Sequence, residues 1–196
     1  MIKDMSINEP IARNVRAMDP RKFMMWLIIV SIVMIFISLS SAYIVKQSDG
    51  NWPIITFPDM FIYSSVIIVI SSVSIHWAYL AAKWNNLLQN RLALVVTSVL
   101  SVAFIYAQYL AAVDLQVNQN MYFTGSHAAS SFIYVFAGLH IFHLLTGVIF
   151  LIVMLIASFQ YKVHSKSMTK MEMLTTYWHF LGGLWLYLYL FLELNN

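Results

Sequence analysis

Four histidines fall inside long apolar stretches of this 196-residue chain: His76, His140, His143 and His179, with His127 and His164 nearer polar segments. A buried imidazole can ligate haem, relay a proton, or hydrogen-bond within a packed interior. His140 and His143 are three residues apart, so on a helix they share a face, and Gly138 and Gly147 beside them leave room for a neighbouring helix. Carboxylates near apolar stretches are few: Glu172, Asp114 and Glu193 lie at or just beyond the ends of such stretches, which favours interfacial work over paired acid–base catalysis. Cysteine is absent, which removes thiolate ligands, disulfides and a Cys nucleophile. Nothing matches a phosphate-binding loop, a zinc signature or a nucleophile with a positioned base. Independent catalysis is not expected.

The elements that must position these residues are dictated by composition. Hydrophobic residues make up 61% of the chain and charged residues 10%, far from the mix of a water-soluble domain. After a polar tail at 1–22, which lacks the apolar core and small-residue cleavage site of a signal peptide, five apolar stretches run over about 23–45, 58–82, 91–113, 128–159 and 171–193. Each meets the ~20 residues that a spanning helix needs. Pro58 with Asp59 marks the start of the second. The fourth exceeds the ~30 Å hydrocarbon thickness and must tilt or project. The expected fold is therefore all-α, a polytopic bundle of five transmembrane helices.

Lys and Arg sort sharply between the two sides of such a bundle. Five lie in the N-terminal tail, two (Lys83, Arg91) follow the second helix and three (Lys162, Lys166, Lys170) follow the fourth. Only Lys46 falls on the other side. By the positive-inside rule the N-terminus is cytoplasmic and the C-terminus periplasmic. Trp26, Trp52, Trp77, Trp84 and Tyr122 lie near helix ends, where amphipathic rings anchor at headgroups.

Within the spans, Ser64 and Ser71, and likewise Ser65 and Ser72, recur at seven-residue spacing, a pattern of close helix packing. Bis-histidine haem needs ligands from facing helices at matching depth. Counted at about 1.5 Å per residue from the cytoplasmic basic residues, His76 lies about 10 Å in, His179 about 13 Å and His143 about 28 Å. His76 with His179 is thus the one haem pairing that depth allows, against the plainer reading of hydrogen-bonded structural histidines.

The run Gly138-Leu139-His140-Ile141-Phe142-His143, followed by Gly147, and the run Tyr177-Trp178-His179-Phe180, with Glu172 before it and Trp185 after it, resemble signatures of subunit III of haem-copper respiratory oxidases. Met25-Trp26, Ser41-Ala42-Tyr43, Ser71-Ser72, His76-Trp77 and Gln108 continue the resemblance in order along the chain. It implies the five-helix form of that subunit, lacking the first two helices of the seven-helix form. It also implies an accessory chain of a bacterial inner-membrane terminal oxidase that binds no haem or copper itself. Such a chain packs on catalytic subunit I beside the other oxidase subunits, holds phospholipids, supports proton uptake, and can join a respiratory supercomplex; nucleic acid is no partner. Cytochrome c is favoured over quinol as electron donor.

On this resemblance Glu172, His140, His143, Tyr177, His179 and Trp185 are the expected lipid or interhelical contacts, and His76 and Asp114 the expected proton-related groups. Three positions depart from the family, which usually has an acid where this chain has Ile32, Ala111 and Gly182; Asp114, one turn from Ala111, is a candidate replacement. Two rivals stay open. One is a haem-bearing membrane anchor using His76 and His179. The other is a small transporter, which calls for helices broken at mid-membrane, whereas all four prolines lie outside the expected helix interiors.

Overall fold

The computed structural model describes residues 19–48, 59–119, 128–160 and 168–195. The described residues form five helices: α1 (Pro20–Gln47), α2 (Met60–Lys83), α3 (Leu87–Gln119), α4 (Ala128–Phe159) and α5 (Thr169–Leu194). α1 to α4 are each long and apolar enough to cross a membrane. α5 is long enough at 26 residues, but it interleaves leucines with tyrosine, tryptophan and histidine, which dilutes its apolar character.

Boundaries depart from the apolar stretches wherever a polar residue finds a partner inside a helix. α1 begins at Pro20, inside the expected tail, because the Asp19 side chain caps it by accepting from the Arg21 N–H at 3.1 Å. α2 begins at Met60 with Asp59 as its cap residue; Pro58 lies outside the described residues, as do Trp52, Tyr122, His127, Lys162, His164 and Lys166. α3 starts at Leu87 rather than 91 because Asn90 and Arg91 are both engaged. Asn90 donates to the Ala78 carbonyl at 2.9 Å and accepts from Ser158 at 2.7 Å. Arg91 donates to the Ser158 carbonyl at 3.1 Å, covering an otherwise open acceptor in the last turn of α4. α3 also runs on to Gln119, so Asp114 lies within the helix, about a turn from its end, and not beyond it.

α2 and α3 make a tight antiparallel hairpin around Trp84, Asn85 and Asn86, with Asn85 at φ 57°, a left-handed conformation that Asn adopts more readily than most residues. Their seam is built from small residues: Ala78, Ala81, Ala82 and Ala93 are all buried. Lipid offers no hydrophobic drive for helices to associate, so small residues gain close packing and hydroxyls supply directional bonds. Ser74 donates to the Ala93 carbonyl at 3.2 Å, Thr97 to Ser74 at 3.1 Å, and Gln108 to Ser64 at 2.9 Å.

α5 packs between α2 and α4, while α1 lies against α4 and α5. The ends of α1 and α5 are tied in parallel. Lys22 pairs with Glu172 at 2.6 Å near one end; Gln47 donates to the Asn195 carbonyl at 2.9 Å near the other. Arg21, Lys22, Lys83, Arg91 and Lys170 therefore gather at one end of the bundle, and Lys46 at the opposite end. Large apolar side chains point outward along the middle of the helices, including Met34, Val73, Val102 and Phe142, each more than 60% exposed. A surface of this kind belongs in lipid, and the chain is a multi-pass membrane protein.

The two glycines flanking the α4 histidines differ. A Cβ at Gly147 would come within 2.6 Å of the Leu181 side chain, so Gly147 does admit α5; at Gly138 a Cβ meets nothing within 4 Å, and no neighbour approaches there. We expect Gly147→Leu to lower stability by about 1–3 kcal/mol through overpacking, and Gly138→Ala to hold or raise it by up to ~1 kcal/mol through helix propensity. Unfolding of the two variants in mild detergent measures the contrast.

Candidate functional site

The side chains singled out in the sequence divide among three places around α5. In the core, His140 is buried by Phe104 of α3 and Trp185 of α5, with ring centroids 6.4 and 5.4 Å away. Neither of its ring nitrogens has a hydrogen-bond partner among the described residues. Three residues on, His143 is only partly buried and looks instead towards α1, with the Phe36 ring 6.1 Å off. The shared face of the two histidines is thus split between core and cleft. His143 Nδ1 lies 2.7 Å from the Leu139 carbonyl; a carbonyl only accepts, so Nδ1 carries the proton there.

Around His143 opens a groove of ≈880 Å³ between α1, α4 and α5. Its depth is apolar, with Met25, Phe150 and Met154 among its walls, and Arg21 and Lys170 stand at the basic end. Tyr177 lines it too, its hydroxyl bonded to Thr146 at 2.8 Å and donating towards the His143 carbonyl at 3.3 Å. Glu172 is held by Lys22. Arg21 and Lys170 are accordingly the charged side chains that line this groove.

On the other side, α5 is bonded to α2 by three contacts in antiparallel register. Trp185 Nε1 donates to Ser65 at 3.1 Å, Trp178 Nε1 donates to Ser71 at 3.0 Å, and His179 Nδ1 bonds the Ser72 hydroxyl. Each serine of the two seven-residue pairs thus has a partner on another helix: Ser65 and Ser71 take the indoles of α5, Ser72 takes His179, and Ser64 takes Gln108 of α3. His76 packs beside His179, ring centroids 5.7 Å apart, as their depths require.

The remaining sequence candidates are dispersed. Asp114 lies near the far end of α3 from the basic residues. Ile32 and Ala111 are buried, and a Cβ at Gly182 would rest 3.5 Å from Ile68, so the three positions lacking an acid are walled by packing. Among the described residues no group of three or more His, Cys, Asp or Glu side chains assembles a metal site. Sequence reasoning missed Arg21, Lys22, Thr146 and Lys170. The basic ones register there only as topology signals, and a threonine in an apolar helix carries no signal of its own.

The sequence profile described as cytochrome c oxidase subunit III matches residues 12–194. Curated relatives with that name are similar over most of the chain. The "Probable cytochrome c oxidase subunit 3" of Rickettsia felis is 30% identical over 164 residues, 78% of this chain and 55% of the relative. "Cytochrome c oxidase subunit 3" of Chondrus crispus is 29% identical over 128 residues, 64% of this chain and 44% of the relative. That of Pongo pygmaeus is 28% identical over 151 residues, 73% and 55%. The chain spans about half the length of these curated relatives.

Buried hydrogen bonds between membrane helices average about 0.6 kcal/mol in double-mutant cycles. A cycle of Ser71→Ala and Trp178→Phe, read by unfolding in detergent, is expected to give a coupling of about 0.5–1 kcal/mol, with neither single change exceeding ~2 kcal/mol.

Proposed function

The chain belongs to the cytochrome c oxidase subunit III family, and we propose that it serves as an accessory, non-catalytic subunit of a proton-translocating terminal oxidase in a bacterial cytoplasmic membrane. In this reading all five helices span, the basic end faces the cytoplasm, and the bundle packs against catalytic subunit I. Haem and copper belong to partner subunits. Cytochrome c is the favoured electron donor.

One observation carries the reading of what the bundle does: the ≈880 Å³ groove whose apolar walls end at Arg21 and Lys170. Acyl chains match the walls, and a phosphodiester matches the two cations at headgroup depth. His143, protonated on Nδ1, offers Nε2 as an acceptor for a headgroup hydroxyl or ammonium. Tyr177, fixed by Thr146, stiffens the α4 wall. The chain then acts as a lipid-holding flange on subunit I, and supports proton uptake by keeping that surface in order. His76 and Asp114 remain the candidates for surface proton traffic.

Extraction of the tagged chain in mild detergent should bring haem–copper subunits with it; recovery as a lone, colourless oligomer would sink the reading. With about 1 kcal/mol per basic residue near anionic lipid, Arg21→Ala with Lys170→Ala should cut retained anionic phospholipid about thirtyfold, as counted by native mass spectrometry. Because the chain contains no cysteine, single cysteines report orientation without background. Lys46→Cys should react with an impermeant maleimide on intact spheroplasts, and Lys170→Cys only after the membrane is opened.

A further inference from the structure

The flank of α5 opposite the cationic groove carries a second one, ≈580 Å³, between α2 and α5. Its lining contains no Lys, Arg, Asp or Glu, and its polar side chains are Ser72, His76, His179 and the indole of Trp77 in an otherwise apolar wall. A phosphate or carboxylate would meet no counter-charge here, and an unpaired charge in such a place is costly. The occupant that suits this groove is therefore neutral. The two imidazoles lie side by side, 5.7 Å between centroids, and the Ser72 bond to His179 Nδ1 leaves Nε2 as that ring's available nitrogen. Two neighbouring imidazoles favour a guest with oxygen atoms to share between them.

Shape narrows the guest further. Trp77, 44% exposed, offers an aromatic wall, and at Gly183 a Cβ would meet nothing within 4 Å, so between His179 and Leu186 the α5 side is open at that position. That leaves a slot for a flat ring, in a volume common for small-molecule sites. The apolar lining beyond it faces out among lipid-exposed residues such as Val69 and Leu186, where a tail could continue into the bilayer.

We propose that this groove binds the head ring of a membrane quinone, with His76 and His179 hydrogen-bonding a ring carbonyl and the isoprenoid tail lying along α2 and α5. Binding alone is meant; no electron transfer is assigned to the site. The inference rests on this groove and not on the lipid reading of the other.

The test uses the complex as extracted from membranes, with a short-tailed azidoquinone as probe. Photolabel should enter peptides carrying Trp77 or His179, and excess unlabelled short-chain quinone should remove it. Gly183→Leu fills the slot where nothing stands in the way, and should reduce labelling about tenfold or more at unchanged yield of the complex. His76→Phe keeps the exposed ring and removes its nitrogens, and should weaken quinone competition about two- to tenfold. The proposal fails if the wild-type groove takes no label, as it would where another subunit covers it. It fails equally if phosphatidylglycerol displaces the label and quinone does not, or if Gly183→Leu labels like wild type.

Discussion

The bundle depends on the seam where α5 hands its ring nitrogens to the serines of α2. Apolar surface cannot choose a register in lipid, because tails solvate leucine as well as leucine does. Directional bonds can. Trp185 with Ser65, Trp178 with Ser71 and His179 with Ser72 each demand the same antiparallel alignment, and a slip of one turn would leave indole and imidazole groups unpaired in a medium without water. With α5 set against α2, the admission of Leu181 beside Gly147 sets α4, and the end ties at Lys22 and Gln47 set α1.

Much of this was legible beforehand. Helix number among the described residues follows from apolar length, and the gathering of basic residues at one end follows from their spacing between helices. The serine repeat announced a packing face. What stayed hidden was pairing across sequence distance: nothing local says that Ser71 answers Trp178, 107 residues away, or that Glu172 answers Lys22, 150 residues away. The start of α3 shifted for the same reason. Arg91 reads as a membrane-edge residue at the start of the third stretch until its partner on α4 is known, and Asn90 just before it is drawn into the helix by its partners on α2 and α4. The likeness of Gly138 to Gly147 in sequence was misleading, because only one of them meets a neighbour.

The positions where this chain lacks an acid make physical sense as packing. Ile32 joins the apolar cluster around Phe36 and Trp185, Ala111 is fully buried, and Gly182 faces Ile68. A carboxylate at Ile32 or Ala111 would need a partner within the bundle, since burial of an unpaired charge there is prohibitive. The charge that the described bundle does carry sits at its ends, where water and headgroups can reach it.

The placing of α5 has one more consequence. It is a wall common to both grooves, giving Lys170 and Tyr177 to one and His179 and Gly183 to the other. A guest on either flank that shifts or stiffens this helix changes what the opposite flank presents. Thermodynamic linkage then requires the effect to be mutual: whatever factor the first guest applies to the affinity of the second, the second returns to the first.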